Sequence, residues 1–248
     1  MAPVTKIIQI IHIQEFIIFG SKINVARVND CSVHVGDSEV EPSGAVRDIG
    51  AMLDSALTME TQINNILKSC YFHLRSISKI RKYLTVESTK ALIHAFVTSR
   101  LDGMNSLLYG IPDYLTNKLQ RIQDNAARLI FKQKKSCPVN PLLIDLHWLP
   151  VKFRIEYKIL LLVYKSIHGE GPMYLSSLLK EYHPTRSLRS SEKMLLCEPK
   201  TRRKYGDRAF SVAGPKLWNL LEDKARACKT VNAFKKELKT YYFHKAYK

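Results

Sequence analysis

From Met59 onward the apolar residues recur every three or four positions, and that spacing restricts most of the chain to amphipathic helix. Ile63, Ile66, Leu67, Cys70, Tyr71, Leu74 and Ile77 predict a helix from about Met59 to Ile80. Thr85 has the chemistry of an N-cap for the next one, whose stripe is Val86, Leu92, Ile93, Phe96, Val97 and Leu101 and whose stop is Asp102-Gly103. Pro112-Asp113 opens a third helix, with Leu115, Leu119, Ile122, Ala126, Leu129 and Ile130 on one face. Asn140-Pro141 begins a short helix through Leu146. Pro150 begins a longer one through about His168, ended by Gly169. The run Ile159 to Tyr164 is apolar most of the way round, which marks a central, buried helix. Pro172 predicts a short helix through Tyr182, Pro215 another through Leu221, and Thr230 caps a last one carrying Val231, Phe234, Leu238, Tyr241 and Tyr242.

The front of the chain follows a different period. The Ile-rich stretch over 7–19 reads as strand, and Glu15 to Phe19, closed by Gly20, as a buried one. Cys31 to Val35 alternates, Gly36-Asp37 offers a two-residue turn, and Ser38 to Val40 resumes, which is a hairpin signal. Pro42-Ser43-Gly44 interrupts it, and Val46 to Leu53 reads as one more strand ending at Asp54. The expected class is mainly α with a small N-terminal antiparallel β portion. Residues 183–208 differ again: they have turn composition, few apolar anchors and many cations, and read as an exposed basic arm with a lone strand at Lys193 to Cys197.

Charge is as unevenly placed as structure. The net charge is +17 overall, but residues 1–60 sum to −4 and residues 61–248 to +21. A basic body of this kind suits a polyanionic partner, nucleic acid first. The five cysteines are widely spaced with no CxxC, which argues for reduced thiols in an intracellular setting and against a disulfide frame. Cys70 with His73 is the nearest approach to a metal-ligand pair, and no second pair accompanies it. No stretch has the length and apolarity to span a bilayer, and the first residues lack the pattern of a signal peptide.

Signals for catalysis are weak. Two-metal chemistry needs carboxylates held close together, and the one adjacent acidic pair, Glu222-Asp223, reads as a solvated helix end. There is no Gly-rich phosphate loop and no GxSxG; His73, His94 and His147 read as packed, hydrogen-bonded rings. Signals for binding are stronger. Arg75, Lys79, Arg81 and Lys82 form one basic cluster. Lys118, Arg121, Arg128, Lys132, Lys134 and Lys135 form a second, and Arg186, Arg189, Arg202, Arg203 and Lys204 a third. Tyr83, Tyr109, Phe131 and Tyr205 lie among them, an association common in single-strand and hybrid-duplex binders.

Several blocks are more specific than composition. The segments HAFVTSRLDGMNSLLYG (94–110), KLQRIQDNAARLIF (118–131), LHWLPVKFRIEYKILLLVYKSIHG (146–169), GDRAFSVAGPKLW (206–218) and FKKELKTYYF (234–243) occur in this order with short gaps. Together they resemble the part that follows the palm in reverse transcriptases of non-LTR retrotransposons of the jockey and chicken-repeat (LINE) sort. QEFIIFGSK (14–22) and VRDIGAMLDSALTMETQI (46–63) resemble the strands just after that family's catalytic block. The resemblance implies an unmatched start over 1–13 and a palm edge with a primer-grip-like hairpin over 14–54. A helical thumb-like domain over 55–182 and a basic arm with a C-terminal helical extension over 183–248 would follow. It implies contact with RNA or an RNA–DNA template–primer, and Mg²⁺ in the parent enzymes. The aromatic-Ala-Asp-Asp block that would hold the metal should precede residue 14 and is not in the chain, so no catalytic residue, metal ligand or cofactor of its own is expected. The family's aromatic and Cys after RLD are replaced by Gly103-Met104. Two other readings stay open: a helical protein–protein interaction module that keeps only the fold, and a metal-dependent enzyme.

Overall fold

The computed structural model describes residues 15–20, 25, 28, 32–35, 38–182, 194–202 and 205–248. The chain divides into two units, residues 1–65 and 66–248. It is mainly helical, with two small antiparallel two-stranded sheets near the N-terminus.

In the first unit, β1 (Val33–Val35) pairs with β2 (Ser38–Val40), matching the expected hairpin; its Gly36-Asp37 turn lies outside the described residues. The single strand expected over Val46 to Leu53 is instead a second hairpin, β3 (Ala45–Asp48) against β4 (Ala51–Asp54). Its turn residues Ile49 and Gly50 both have positive φ, 44° and 89°. Two such residues form the turn whose twist suits a two-residue hairpin. A β-branched residue is the least expected occupant of that conformation, so Ile49 hid the turn. The buried strand expected at Glu15 to Phe19 is also absent. Phe16 makes one isolated bridge to Pro42, and Phe19 is 49% exposed. Pro42 has no N–H to continue a ladder. Asp54 closes the unit by accepting from Thr58 N (2.8 Å) and Met59 N (2.7 Å). These bonds organise the entry to α1 (Glu60–Ile80).

Helices build the second unit. A 3-10 turn (Arg81–Tyr83) follows α1. Then α2 (Val86–Ile93), capped as expected by Thr85 Oγ1 on Ser88 N at 3.1 Å, runs through a π-type stretch (His94–Thr98) into α3 (Ser99–Asp102). Next come a 3-10 turn (Asn105–Leu108), α4 (Asp113–Ile130), α5 (Asn140–Asp145), α6 (Val151–Ile167) and α7 (Met173–Ser176). A 3-10 turn at Gly206–Arg208 leads into α8 (Phe210–Asn219), and α9 (Asp223–Arg226) and α10 (Val231–Tyr247) complete the chain. Thr230 caps α10 by accepting from Ala233 N at 3.2 Å.

The apolar α6 is the central helix the sequence called for: α3, α4, α7, α8 and α10 all pack against it. At its C-terminal half Tyr164 stacks on Phe234 (centroids 4.3 Å apart), and Trp218 lies 5.9 Å from Phe234. Their polar ends are satisfied, Tyr164 OH on Cys228 O at 2.8 Å and Trp218 Nε1 on Met194 O at 2.7 Å, as burial of such groups requires. α6 and α8 approach closely at Gly214, where an added Cβ would sit 2.8 Å from Val163 Cγ2. Gly214→Ala should therefore cost about 1–3 kcal/mol in thermal denaturation, because a β-branched neighbour has little room to turn away. Val163→Ala in the same chain should recover part of that loss.

Three further expectations are corrected. α7 stops at Ser176 instead of continuing to Tyr182, and Glu181 forms a bridge with Leu196. The predicted lone strand therefore has a partner. Leu196 is 4% exposed and pairs through both backbone groups with the Asn219 amide (3.0 and 2.9 Å), so residues 194–197 are anchored and not part of a loose arm. α8 begins at Phe210, five residues before the Pro215 that was expected to open it. Proline favours a first turn, and here it lies inside the helix, next to the close contact at Gly214.

Candidate nucleic-acid interface

Two helices carry cations and exposed aromatic rings on one stripe each. On α1, Lys68, Phe72, Arg75 and Lys79 follow the i, i+4, i+7, i+11 spacing of a single face. All four are exposed, Phe72 by 67%, while Ile66, Cys70, Leu74 and Ile77 face the core. This stripe is about 16 Å long at the helical rise, about the length of five nucleotides along one strand. Lys82 then sits over the exposed Tyr83 ring, Nζ 4.7 Å from its centroid. On α4, Tyr114, Lys118 and Arg121 repeat the pattern, with Lys118 Nζ 5.5 Å from the Tyr114 centroid. Lys132, Lys134 and Lys135 are exposed just past the end of α4.

Arg81 brings the first two clusters to one edge, but it is not itself a surface cation. It is 6% exposed. Its Nε donates to Leu129 O (3.0 Å), Nη2 to Ile130 O (2.6 Å) and Nη1 to Leu84 O (2.7 Å). The last carbonyls of α4 are thus capped by a guanidinium from just past the end of α1, with Leu129 O also accepting from Lys132 N at 3.4 Å. Lys82 and Lys132 flank this junction in sequence. Arg128 is likewise corrected: it is half-buried and its Nε and Nη2 both donate to Cys137 O at 3.2 Å, holding the loop after α4. Both arginines were expected to meet a ligand, and both instead meet backbone carbonyls.

In the third cluster, Arg186, Arg189, Arg203 and Lys204 lie outside the described residues; Arg202 and Tyr205 are exposed. Of the interleaved aromatics, Tyr109 is half-buried, and burial, then Glu156 and Asp207, push its hydroxyl above the usual range. Phe131 packs on Ala127, Leu142 and Leu143. Phe72 and Tyr114 take the places expected of these two. The signal for them was present: each sits off the apolar stripe, four residues before or after a lysine. A further cationic surface lies on α10, where Lys236, Lys239 and Lys245 are exposed, with Lys248 just past its end. Lys245 Nζ is 5.5 Å from the Tyr241 centroid.

The Cys70–His73 pair does not form a reactive or ligating site. Burial raises the Cys70 thiol to about 11, against a smaller opposing effect of Arg100, and Sγ donates to Val97 O at 3.8 Å. Burial first and Arg100 second hold His73 below the usual imidazole range, so its ring is neutral at pH 7 where it stacks on Phe96 (5.0 Å). His94 and His147 are exposed, not packed in the core. Among the described residues no three His, Cys, Asp or Glu side chains are grouped so as to hold a metal ion. The described residues therefore do not fit the Mg²⁺ that the resemblance implies for the parent enzymes. Among the described residues no helix is long and apolar enough to cross a membrane. The chain matches no protein-family model, no curated protein and no solved structure.

Proposed function

We propose that this chain binds RNA or an RNA–DNA template–primer without polymerising, as a piece of a retrotransposon reverse transcriptase that follows the catalytic block. The observation that carries the binding reading is the pair of stripes on α1 and α4. None of Lys68, Arg75, Lys79, Lys82, Lys118 or Arg121 is in an ion pair among the described residues, and each stripe carries an exposed ring one helical turn from a lysine. Unpaired cations release counterions from a phosphate backbone, and exposed rings stack on bases whatever their identity. The retroelement origin rests on the five ordered sequence blocks alone.

The test is fluorescence anisotropy with a single-stranded RNA and an RNA–DNA hybrid of equal length. Phe72→Ala should weaken the single strand by about 5- to 100-fold, the worth of one base–aromatic stack. The same change should barely affect the hybrid, whose bases are already stacked. Equal affinity of Phe72→Ala and the unaltered chain for the single strand would count against the reading. A second reading, a protein-docking face, is favoured by Tyr71 and Phe72 on α1 and Phe96 on the π-type stretch, which are 41%, 67% and 41% exposed. Capture of a protein that survives nuclease treatment and is lost in Phe72→Ala would support it.

A further inference from the structure

A cavity of about 500 Å³ opens beside α6, walled by the α3 end, the 146–149 loop and α10, away from the α1 and α4 stripes. Its size is that of an ordinary small-ligand site. Three kinds of group meet there. Trp148 and Tyr157 supply flat apolar surface. Lys158 and Lys239 supply exposed cations without an ion-pair partner among the described residues. Asn105 supplies an amide that is 4% exposed and whose Oδ1 has no hydrogen-bond partner. A buried acceptor left unsatisfied is costly, so a ligand donor that reaches it gains correspondingly.

The remaining charge in the wall is already answered. Arg154 donates from Nε to Asp102 Oδ1 at 2.8 Å and from Nη2 to Asp102 Oδ2, a two-pronged pair that leaves the lysines as the net charge of the site. The wall is also rigid. Gln123 Nε2 holds Leu149 O (2.9 Å), Gln120 Oε1 accepts from Val151 N (2.9 Å), and Tyr247 OH donates to Trp148 O (2.5 Å).

We propose that this cavity binds a nucleoside phosphate, with the base against Trp148 and Tyr157, its edge on the Asn105 amide and its phosphate on Lys158 and Lys239. An asparagine amide matches an adenine edge, where an amine donor lies beside a ring-nitrogen acceptor. The same chemistry is offered by a free nucleotide and by one unstacked base of a single strand. The site is separate from the α1 and α4 stripes, so it stands or fails independently of strand binding there.

The experiment uses the full chain and its tryptophan fluorescence. Trp218 is fully buried, so quenching by a ligand reports on Trp148. AMP should quench saturably, and Trp148→Phe should abolish the response. Asn105→Leu removes the orphaned oxygen at similar volume and should leave thermal unfolding unchanged or raised. It should weaken AMP about tenfold, the loss of one base-edge pair. Lys158→Gln with Lys239→Gln should weaken AMP while leaving adenosine unaffected. A single-stranded oligoadenylate that binds the site more tightly than AMP, with the same Asn105 dependence, would identify the source as a strand; AMP binding more tightly than the oligomer would identify a free nucleotide. No saturable quenching by AMP or oligoadenylate, quenching reproduced by inorganic phosphate alone, or unaltered AMP affinity in a folded Asn105→Leu chain would overturn the proposal.

Discussion

Arg81→Ala should destabilise the chain by about 3 kcal/mol and lower its midpoint of thermal unfolding by about 6–12 °C. The reason is the set of three carbonyls, Leu84, Leu129 and Ile130, that the guanidinium satisfies from a buried position. Removing the donor leaves a cavity and takes the side-chain partner from all three acceptors, of which Leu129 O keeps its backbone bond from Lys132 N, and hydrogen bonds to a charged group are the stronger kind. Lysine is no substitute, because a single ammonium cannot reach three acceptors in a plane, so Arg81→Lys should recover less than half of the loss. The same argument covers Arg226, 4% exposed, whose Nη1 donates to Trp218 O (3.3 Å), Asn219 O (3.2 Å) and Leu221 O (2.5 Å) at the end of α8. Differential scanning calorimetry decides the matter. A midpoint unchanged by Arg81→Ala would return Arg81 to the ligand-binding surface.

The second large effect concerns affinity and leaves stability alone. A chain with Arg75→Gln, Lys79→Gln, Lys82→Gln and Arg121→Gln should lose about 10²–10³-fold in affinity for single-stranded RNA at 0.1 M salt, from four phosphate contacts. The loss should be even across sequences, since phosphate contacts carry no base identity. Its thermal midpoint should stay near that of the unaltered chain, because all four side chains are exposed and surface changes of this kind cost little. The contrast with Arg81 is the point: neighbouring residues in one basic run should act on different quantities.

That contrast also locates what a sequence can disclose. The helices were legible because Ile63, Ile66, Cys70, Leu74 and Ile77, or Leu115, Leu119, Ile122, Ala126 and Ile130, keep a period set by backbone geometry alone. Thr85 and Thr230 were legible as caps because they act on residues three positions away. Arg81, Arg128 and Arg226 were not, because whether a cation faces water or a carbonyl depends on which distant helix ends beside it. The Leu129 carbonyl that claims Arg81 is 48 positions away in sequence. The turn at Ile49-Gly50 and the start of α8 ahead of Pro215 are illegible in the sequence for a related reason: in both, surrounding structure overrides a local preference. At the interface, the two basic clusters were visible as runs of charge. The rings of Phe72 and Tyr114 are legible only once each helical face is laid out, one turn from a lysine and off the apolar stripe, and the meeting of the two clusters at one edge follows only from packing.

The central claim is that exposed cations on α1 and α4 meet a phosphate backbone. The most direct measurement is the slope of log K against log salt for single-stranded RNA, in the unaltered chain and in the four-glutamine variant. A steep negative slope that becomes shallower by about 3 in the variant, about 0.7 for each lost contact, is expected. A flat slope in the unaltered chain, or the same steep slope in both, would contradict the account.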